Sequence, residues 1–321
     1  MTVRIDAQAA PRSAGAAQPK VASPLIRIAA WASLVAEILL VGTGGAVRLT
    51  GSGLGCPTWP RCTAASFATT PAMGVHGVIE FGNRLLTFVL VVVALAAFAV
   101  VLRSWRTRKD LFGLALAQLL SIPAQAVIGG VTVLTHLNPW IVAAHFLFSL
   151  TLVVAMTVFV HRSRVLPGPR VRAIPPLAAV TTGVVAVLAA IVVVLGVTTT
   201  GSGPHAGDAT APRNGLDPVV LQQVHESAAW LLLLASIALL VLALRGRARV
   251  RPVAVLVGIE VMQLVVGVTQ VALGWAAGLV VVHVFLAAVL TAATTAVVLA
   301  SRGPRDAVAP LPAAAPAAAT A

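Results

Sequence analysis

Eight long apolar runs decide most of what this chain can fold into. They lie at 25–47, 76–102, 111–134, 139–161, 175–198, 218–244, 252–273 and 279–301. As helices rising 1.5 Å per residue, each crosses a hydrocarbon core of about 30 Å. The expected fold class is therefore all-α and polytopic, with eight transmembrane helices. A composition of 59% hydrophobic and 10% charged residues, with mean hydropathy +0.99, lies outside the range of soluble domains and agrees with this. The run 25–47 is too long for a signal-peptide core and has no convincing cleavage site after it, so it reads as a retained first helix. The segments 1–23 and 303–321, rich in Ala and Pro, read as disordered cytoplasmic tails.

A net charge of +13 would suggest nucleic acid in a soluble protein. Here the cations cluster in alternate connections: Arg103, Arg106, Arg108 and Lys109, then Arg162, Arg164, Arg170 and Arg172, then Arg245, Arg247, Arg249 and Arg251, then Arg302 and Arg305, on the side of Arg4, Arg12, Lys20 and Arg27. That pattern reports topology, so no nucleic-acid partner is expected. By the positive-inside rule both termini are cytoplasmic and the protein sits in the cell membrane. Arg48, Arg61, Arg84 and Arg213 break the bias, and Trp59, Trp140 and Trp275 fall near the opposite ends as interfacial aromatics.

The chain repeats itself. Gln125 and Gly129 precede His145 in the register by which Gln263 and Gly267 precede His283, twenty residues from glutamine to histidine in both cases. Thr50-Gly-Ser-Gly53 follows the first run, and Thr200-Gly-Ser-Gly203 the fifth. Two four-helix halves follow, 24–172 and 173–302. Four being even, they are parallel repeats about an axis along the membrane normal, forming two pseudo-symmetric bundles.

Polar groups inside such spans are functional-site candidates because each is costly unless partnered. His76, Glu80, Asn83 and Arg84 fall along one face of the second helix. Six histidines, His76, His136, His145, His205, His225 and His283, lie toward the outer side, and only His161 lies inside. Imidazoles at similar depth on facing helices suit axial ligation of a haem iron; His225 with His283 makes one such pair, and His145 with a residue of the second helix its counterpart. His136 and His205, in loops, read as solvated. Glu80 reads either as an ion-pair partner of Arg84 or as a catalytic group. Arg48, Arg84 and Arg213 read as propionate anchors or as snorkelling cations. Glu37 and Glu260 are intramembrane without an assigned role.

Cys56 and Cys62, too few for a structural zinc site and outside any Cys-x-x-Cys-His motif, flank a turn-rich outer loop. In an oxidising compartment they can form a disulfide; otherwise they are two thiols. The second half has no matching cysteines, so the halves are not equivalent. The loop's glycines lack the Lys-Ser/Thr ending of a phosphate cradle.

Between its tails the chain resembles the haem A synthase family. The resemblance rests on Thr50-Gly-Ser-Gly-Leu-Gly-Cys56 with Pro57, Trp59, Pro60 and Cys62; on Ile79-Glu80-Phe81-Gly82 with Arg84; on Ala144-His145-Phe146; on Gln222 with His225; and on Val282-His283. It implies a membrane enzyme that oxidises a methyl group of haem O to a formyl group by two hydroxylations and loss of water. It implies a haem b cofactor between His225 and His283, substrate haem O in the first half with His145 as a ligand, and Glu80 close to the reacting methyl. Partners implied are membrane lipid, the protohaem farnesyltransferase that makes haem O, an electron acceptor, and an oxidase or assembly factor that receives haem A. Where many relatives read Glu-x-x-His-Arg, this chain has Asn83 in the histidine position. Either His76 or Asn83 then faces the substrate iron, or His145 holds that iron alone. Gly53 to His76 is 23 residues against 22 from Gly203 to His225, favouring His76; Asn83 to Gln125 is 42 against 38 from His225 to Gln263, favouring Asn83. Readings from other classes are a non-catalytic membrane cytochrome b and, with a poorer fit to the histidines, a parallel-repeat transporter.

Overall fold

The structure, a computed structural model, describes residues 21–304. Eight helices long and apolar enough to cross a membrane are α1 Pro24–Leu49, α2 Gly74–Leu102, α3 Lys109–Leu134, α4 Pro139–Ser163, α5 Pro176–Ser202, α6 Pro218–Leu244, α7 Val250–Ala272 and α8 Ala277–Ala300. A short 3-10 turn, Pro71–Met73, leads into α2. Proline opens α1, α4, α5 and α6, where its missing N–H costs nothing. Ser23, Asn138 and Asp217 cap α1, α4 and α6 by accepting from the first free backbone N–H groups.

One boundary differs in kind from the expectation. The fifth run was expected to end at 198 with Thr200–Gly203 as a loop, yet α5 continues to Ser202. Thr198, Thr199 and Thr200 return their hydroxyls to the carbonyls of Val194, Leu195 and Gly196 at 2.7, 2.8 and 2.8 Å. Their polarity is thereby absorbed within the helix, which does not stop there. In the first half, Thr50 caps α1 and Gly51–Gly53 are loop.

The helices pack as two rings. In one, α1 contacts α2 and α4, with α3 between α2 and α4; in the other, α5 contacts α6 and α8, with α7 between α6 and α8. The rings meet where α8 rests on α1 and α4, and α4 on α5. Helices α2 and α4, and likewise α6 and α8, therefore stand diagonally across their own ring. A core around Val153, Met156 and Phe159 fills the first ring, and one around Leu232, Leu239 and Leu256 the second.

Glycines set the spacing at the seam. A Cβ on Gly42 would lie 2.9 Å from Phe285 Cδ2, and one on Gly45 2.9 Å from Val284 Cγ1. In lipid, helix association depends on such close packing, because no hydrophobic force separates helix from solvent. Gly45→Val should destabilise the protein by about 1–3 kcal/mol through overpacking, read as a lowered thermal midpoint in detergent. An unchanged midpoint would show that α8 can yield at this contact.

On the basic face the expected tail beginning at 303 needs correction. Arg302–Pro304, strand β2, pairs antiparallel with Arg170–Arg172, strand β1, with Arg172 opposite Arg302 and Arg170 opposite Pro304. Backbone pairing holds these residues to the loop after α4. The expectations for 1–20 and 305–321 lie outside the described residues.

Candidate functional site

The outer ends of the rings carry the histidines. His225 lies seven residues into α6 and His283 six into α8, on helices diagonal to each other. Their ring centroids are 6.3 Å apart with planes at 72°. Each ring lies over a glycine of the next helix. A Cβ on Gly196 of α5 would come 3.0 Å from His225 Cε1, and one on Gly267 of α7 3.5 Å from His283 Cε1. His225 Nδ1 is 3.1 Å from the Val192 carbonyl, which can only accept, so Nδ1 carries the proton and Nε2 keeps its lone pair. Gln263 Nε2 donates to the His283 carbonyl at 3.2 Å, and His283 Nδ1 is buried without a protein partner.

This donor set fits a haem iron. Two imidazoles bound at about 2 Å on opposite sides of one first-row metal ion have ring centres about 6 Å apart. A proton-fixing carbonyl behind one ring is the usual arrangement around ligating imidazole. Among the described residues no three His, Cys, Asp or Glu side chains converge into a cage for a bare cation, so what the histidines build is a facing pair.

In the first ring, His145 lies six residues into α4 and Glu80 six into α2, across the diagonal. A Cβ on Gly129 of α3 would lie 3.2 Å from His145 Cε1. Gln125 Nε2 donates to Ser149 Oγ at 2.6 Å, and Ser149 Oγ donates to the His145 carbonyl at 3.0 Å. The glutamine thus reaches the histidine's backbone through a serine here and directly in the second ring. His145 Nδ1 is buried without a protein partner, as is Asn83 Oδ1. His76, two residues into α2, is exposed; its Nδ1 is 2.9 Å from Ser52 Oγ, and it lines an open outer cleft of about 510 Å³ with Met73, Pro57 and Asp208. By residue count Asn83 stands three positions deeper than the level of Glu80, and His76 four nearer the outer surface.

Glu80 is 5% exposed and uses both oxygens: Arg84 Nη2 is 2.6 Å from one, and the Cys56 N–H donates to the other at 2.5 Å. Arg84 also donates to the carbonyls of Cys56 and Thr58, at 3.1 Å each. Cys56 and Cys62 are disulfide-bonded and fully buried. The cysteine loop is thus pinned to α2 through Glu80 and Arg84. Trp59 lies against Gly130, near the outer end of α3, where a Cβ would collide with the indole.

The four arginines that break the charge bias share a use that the sequence does not reveal. Arg48 donates to the His205 and Thr200 carbonyls at 3.0 and 3.1 Å, Arg213 to those of Ala211 and Pro204, and Arg61 to that of Ala64, just as Arg84 does to Cys56 and Thr58. His205, read as solvated, is half-buried and donates from Nε2 to the Trp275 carbonyl at 2.8 Å. Gly53 N–H donates to the Gly207 carbonyl at 2.8 Å with the Leu137 side chain packed against both glycines. The outer loops of the two rings are stitched together by Arg48 and by the Gly53–Gly207 contact under Leu137. His136 is exposed, and His161 sits at the opposite face. Glu37 is buried with one oxygen unpartnered, near the Ser33–Gln118 hydrogen bond, and Glu260 accepts from Ser236 at 2.8 Å.

The chain has relatives of known name. It is 29% identical over 123 residues, 38% of each chain, to the haem A synthase of Geobacillus thermodenitrificans. It is 34% identical over 112 residues, 34% of each chain, to that of Geobacillus kaustophilus strain HTA426. Over 137 residues, 40% of this chain and 42% of the relative, it is 31% identical to that of Bacillus pumilus strain SAFR-032. The chain thus spans between a third and about two fifths of the length of these relatives. The profile of one family covers far more, residues 27–295, and so takes in all eight helices and both histidine sites. On that coverage the chain belongs to the cytochrome oxidase assembly protein family of COX15-CtaA type.

Proposed function

We propose that the protein is a haem A synthase, an oxidoreductase that converts a methyl group of haem O to a formyl group to supply haem A to terminal oxidases. The observation that carries this reading is the facing His225–His283 pair at 6.3 Å in a chain of this family. These two residues are assigned to haem b, which when bound supplies one-electron transfer. Gly196 and Gly267 leave room for the rings, while the Val192 carbonyl fixes the His225 proton on Nδ1.

The first half, 24–172, is assigned to substrate haem O and the second, 173–302, to haem b, the two being pseudo-symmetric. His145 is the proposed ligand of the substrate iron. His76 and Asn83 are the candidates for the other side, and the buried, unpartnered Asn83 Oδ1 favours Asn83 as the group facing the substrate. Glu80 is held in one orientation by Arg84 and the Cys56 N–H, which suits a carboxylate acting beside the reacting methyl. Arg48 keeps its Nη1 N–H groups and Arg84 its Nε–H beyond those spent on carbonyls and on Glu80, and these are assigned to the propionates. Two hydroxylations of the methyl and loss of water give the aldehyde. The proposed setting is the cell membrane, both termini cytoplasmic and both haem sites toward the outer face. The proposed partners are the farnesyltransferase that makes haem O, an electron acceptor, and the oxidase or assembly factor that takes haem A.

One observation favours a second reading. Both Glu80 oxygens are engaged, one by the Cys56 N–H of the loop and one by Arg84 of its own helix, as they would be in a non-catalytic cytochrome b. The visible spectrum and extracted pigments of the purified protein test both: low-spin haem b together with haem O and haem A is the expected result. Haem b alone supports the electron carrier, and a protein that takes up no haem overturns both.

A further inference from the structure

Glu260 stands at the middle of the 23-residue α7, is 6% exposed, and takes no part in the function proposed above. One of its carboxyl oxygens accepts from the fully buried Ser236 Oγ of α6 at 2.8 Å; the other is buried without a protein partner. Helix α7 packs against α6 and α8. The other titratable groups on these three helices are His225 and Glu226 of α6, His283 of α8 and Arg251 of α7 itself. The first three lie toward the outer ends of their helices, and Arg251 lies at the opposite end of α7 beside the loop cations Arg245, Arg247 and Arg249. Among the described residues no cation pairs with Glu260. A lone carboxylate at that depth is costly, whereas a carboxyl that gains and loses a proton is a recurring part of membrane proton relays.

Two features lead from Glu260 toward the basic face. Thr294 of α8, 7% exposed, keeps a buried hydroxyl without a partner, although Thr291 and Thr295 beside it bond to carbonyls of their own helix. One turn farther along α8, a cavity of about 10 Å³, near the size of one water, is lined by Leu239, Val253, Val297 and Ser301 at the inner ends of α6, α7 and α8. In the other direction Gly267, which seats the His283 ring, is seven residues from Glu260, about 10 Å along the helix axis. A haem at the second site carries one net positive charge when ferric and none when ferrous, and across a low-dielectric interior a carboxyl at that range responds to the change. We propose that Glu260 takes up a proton from the aqueous phase on the basic face when the second site gains an electron, and returns it when the electron leaves. The inference rests on the assignment of haem b to His225 and His283. Each reduction brings in one electron, from the methyl group under oxidation, and one proton. The only bond formed is O–H on Glu260, and it breaks when a one-electron acceptor reoxidises the site.

The test is a potentiometric titration of the full-length protein with its bound haem, followed by visible absorbance over a range of pH around neutrality. The midpoint potential should fall as pH rises, approaching about 59 mV per tenfold change in proton activity for a one-electron couple. In Glu260→Gln it should be nearly independent of pH, whereas Glu37→Gln, which removes the other unassigned intramembrane carboxyl, should keep the original slope. Ser236→Ala leaves the carboxyl but removes its hydrogen bond, and should move a carboxyl band in the reduced-minus-oxidised infrared difference spectrum; this measurement decides the matter if Glu260→Gln does not fold. A flat potential in the unaltered protein, an equal slope in Glu260→Gln, or a difference spectrum without a carboxyl band that responds to Ser236→Ala overturns the proposal. A purified protein with no low-spin haem overturns the haem b assignment, and the proposal with it.

Discussion

On the proposed function, His283→Ala should strip haem b from the purified protein, lowering retained low-spin haem by about tenfold or more. His225→Ala should do the same. The two ring centroids lie 6.3 Å apart on diagonal helices, so removing either would leave one of the two proposed haem-holding imidazoles, and both spin state and affinity should change. His136→Ala, at an exposed position in an outer loop, leaves the spectrum unchanged and controls for handling. Helical content by circular dichroism separates loss of the ligand from loss of the fold. A His283→Ala protein with an intact low-spin signal would falsify the proposed pair.

On the proposed function, Glu80→Gln should lower conversion of haem O to haem A by about 100-fold or more, the scale on which positioned proton-transfer groups act. The substitution is chosen for what it keeps. Glutamine has the same length, and its carbonyl oxygen can still accept the Cys56 N–H. It loses the ion pair with Arg84, but Arg84 retains the Cys56 and Thr58 carbonyls. The cysteine loop should therefore stay seated, with the thermal midpoint and haem b spectrum close to those of the unaltered protein. Normal conversion with normal stability assigns Glu80 to holding the loop and returns the cytochrome reading to first place. A collapse of both stability and conversion is read against Glu80→Asp, in which a shortened carboxylate keeps the charge but misplaces it.

The helices were legible because each is a continuous apolar run, and their ends fall within a few residues of those read from the chain. The α5 end was not, since three threonines that look like loop residues conceal their hydroxyls on their own helix. His145 and His283 were legible through the shared register of glutamine, glycine and histidine, which the structure renders as a ring seated on Gly129 or Gly267. Gly196 escaped notice because one glycine in an apolar run has no signature until the His225 ring rests on it. Arg48 and His205 were the least legible: the first binds a carbonyl 157 residues away, the second one 70 residues away. Such contacts depend on which loops the helix packing brings together, and no local pattern encodes that. The two cysteines left two readings open in the sequence, and the Cys56–Cys62 bond decides between them.

The glycine seam between the rings ties the two ends of synthesis together. Gly42 and Gly45 belong to α1, the first of the described spans to be made, while Val284 and Phe285, which they receive, belong to α8, the last. They also adjoin His283 in the chain. Until α8 emerges, Gly42 and Gly45 lack the Phe285 and Val284 side chains that pack on them. The ring that carries His225 lacks its fourth wall for just as long. A chain that stops short of α8 would therefore carry His225 without His283, and the proposed haem b site would be missing from it.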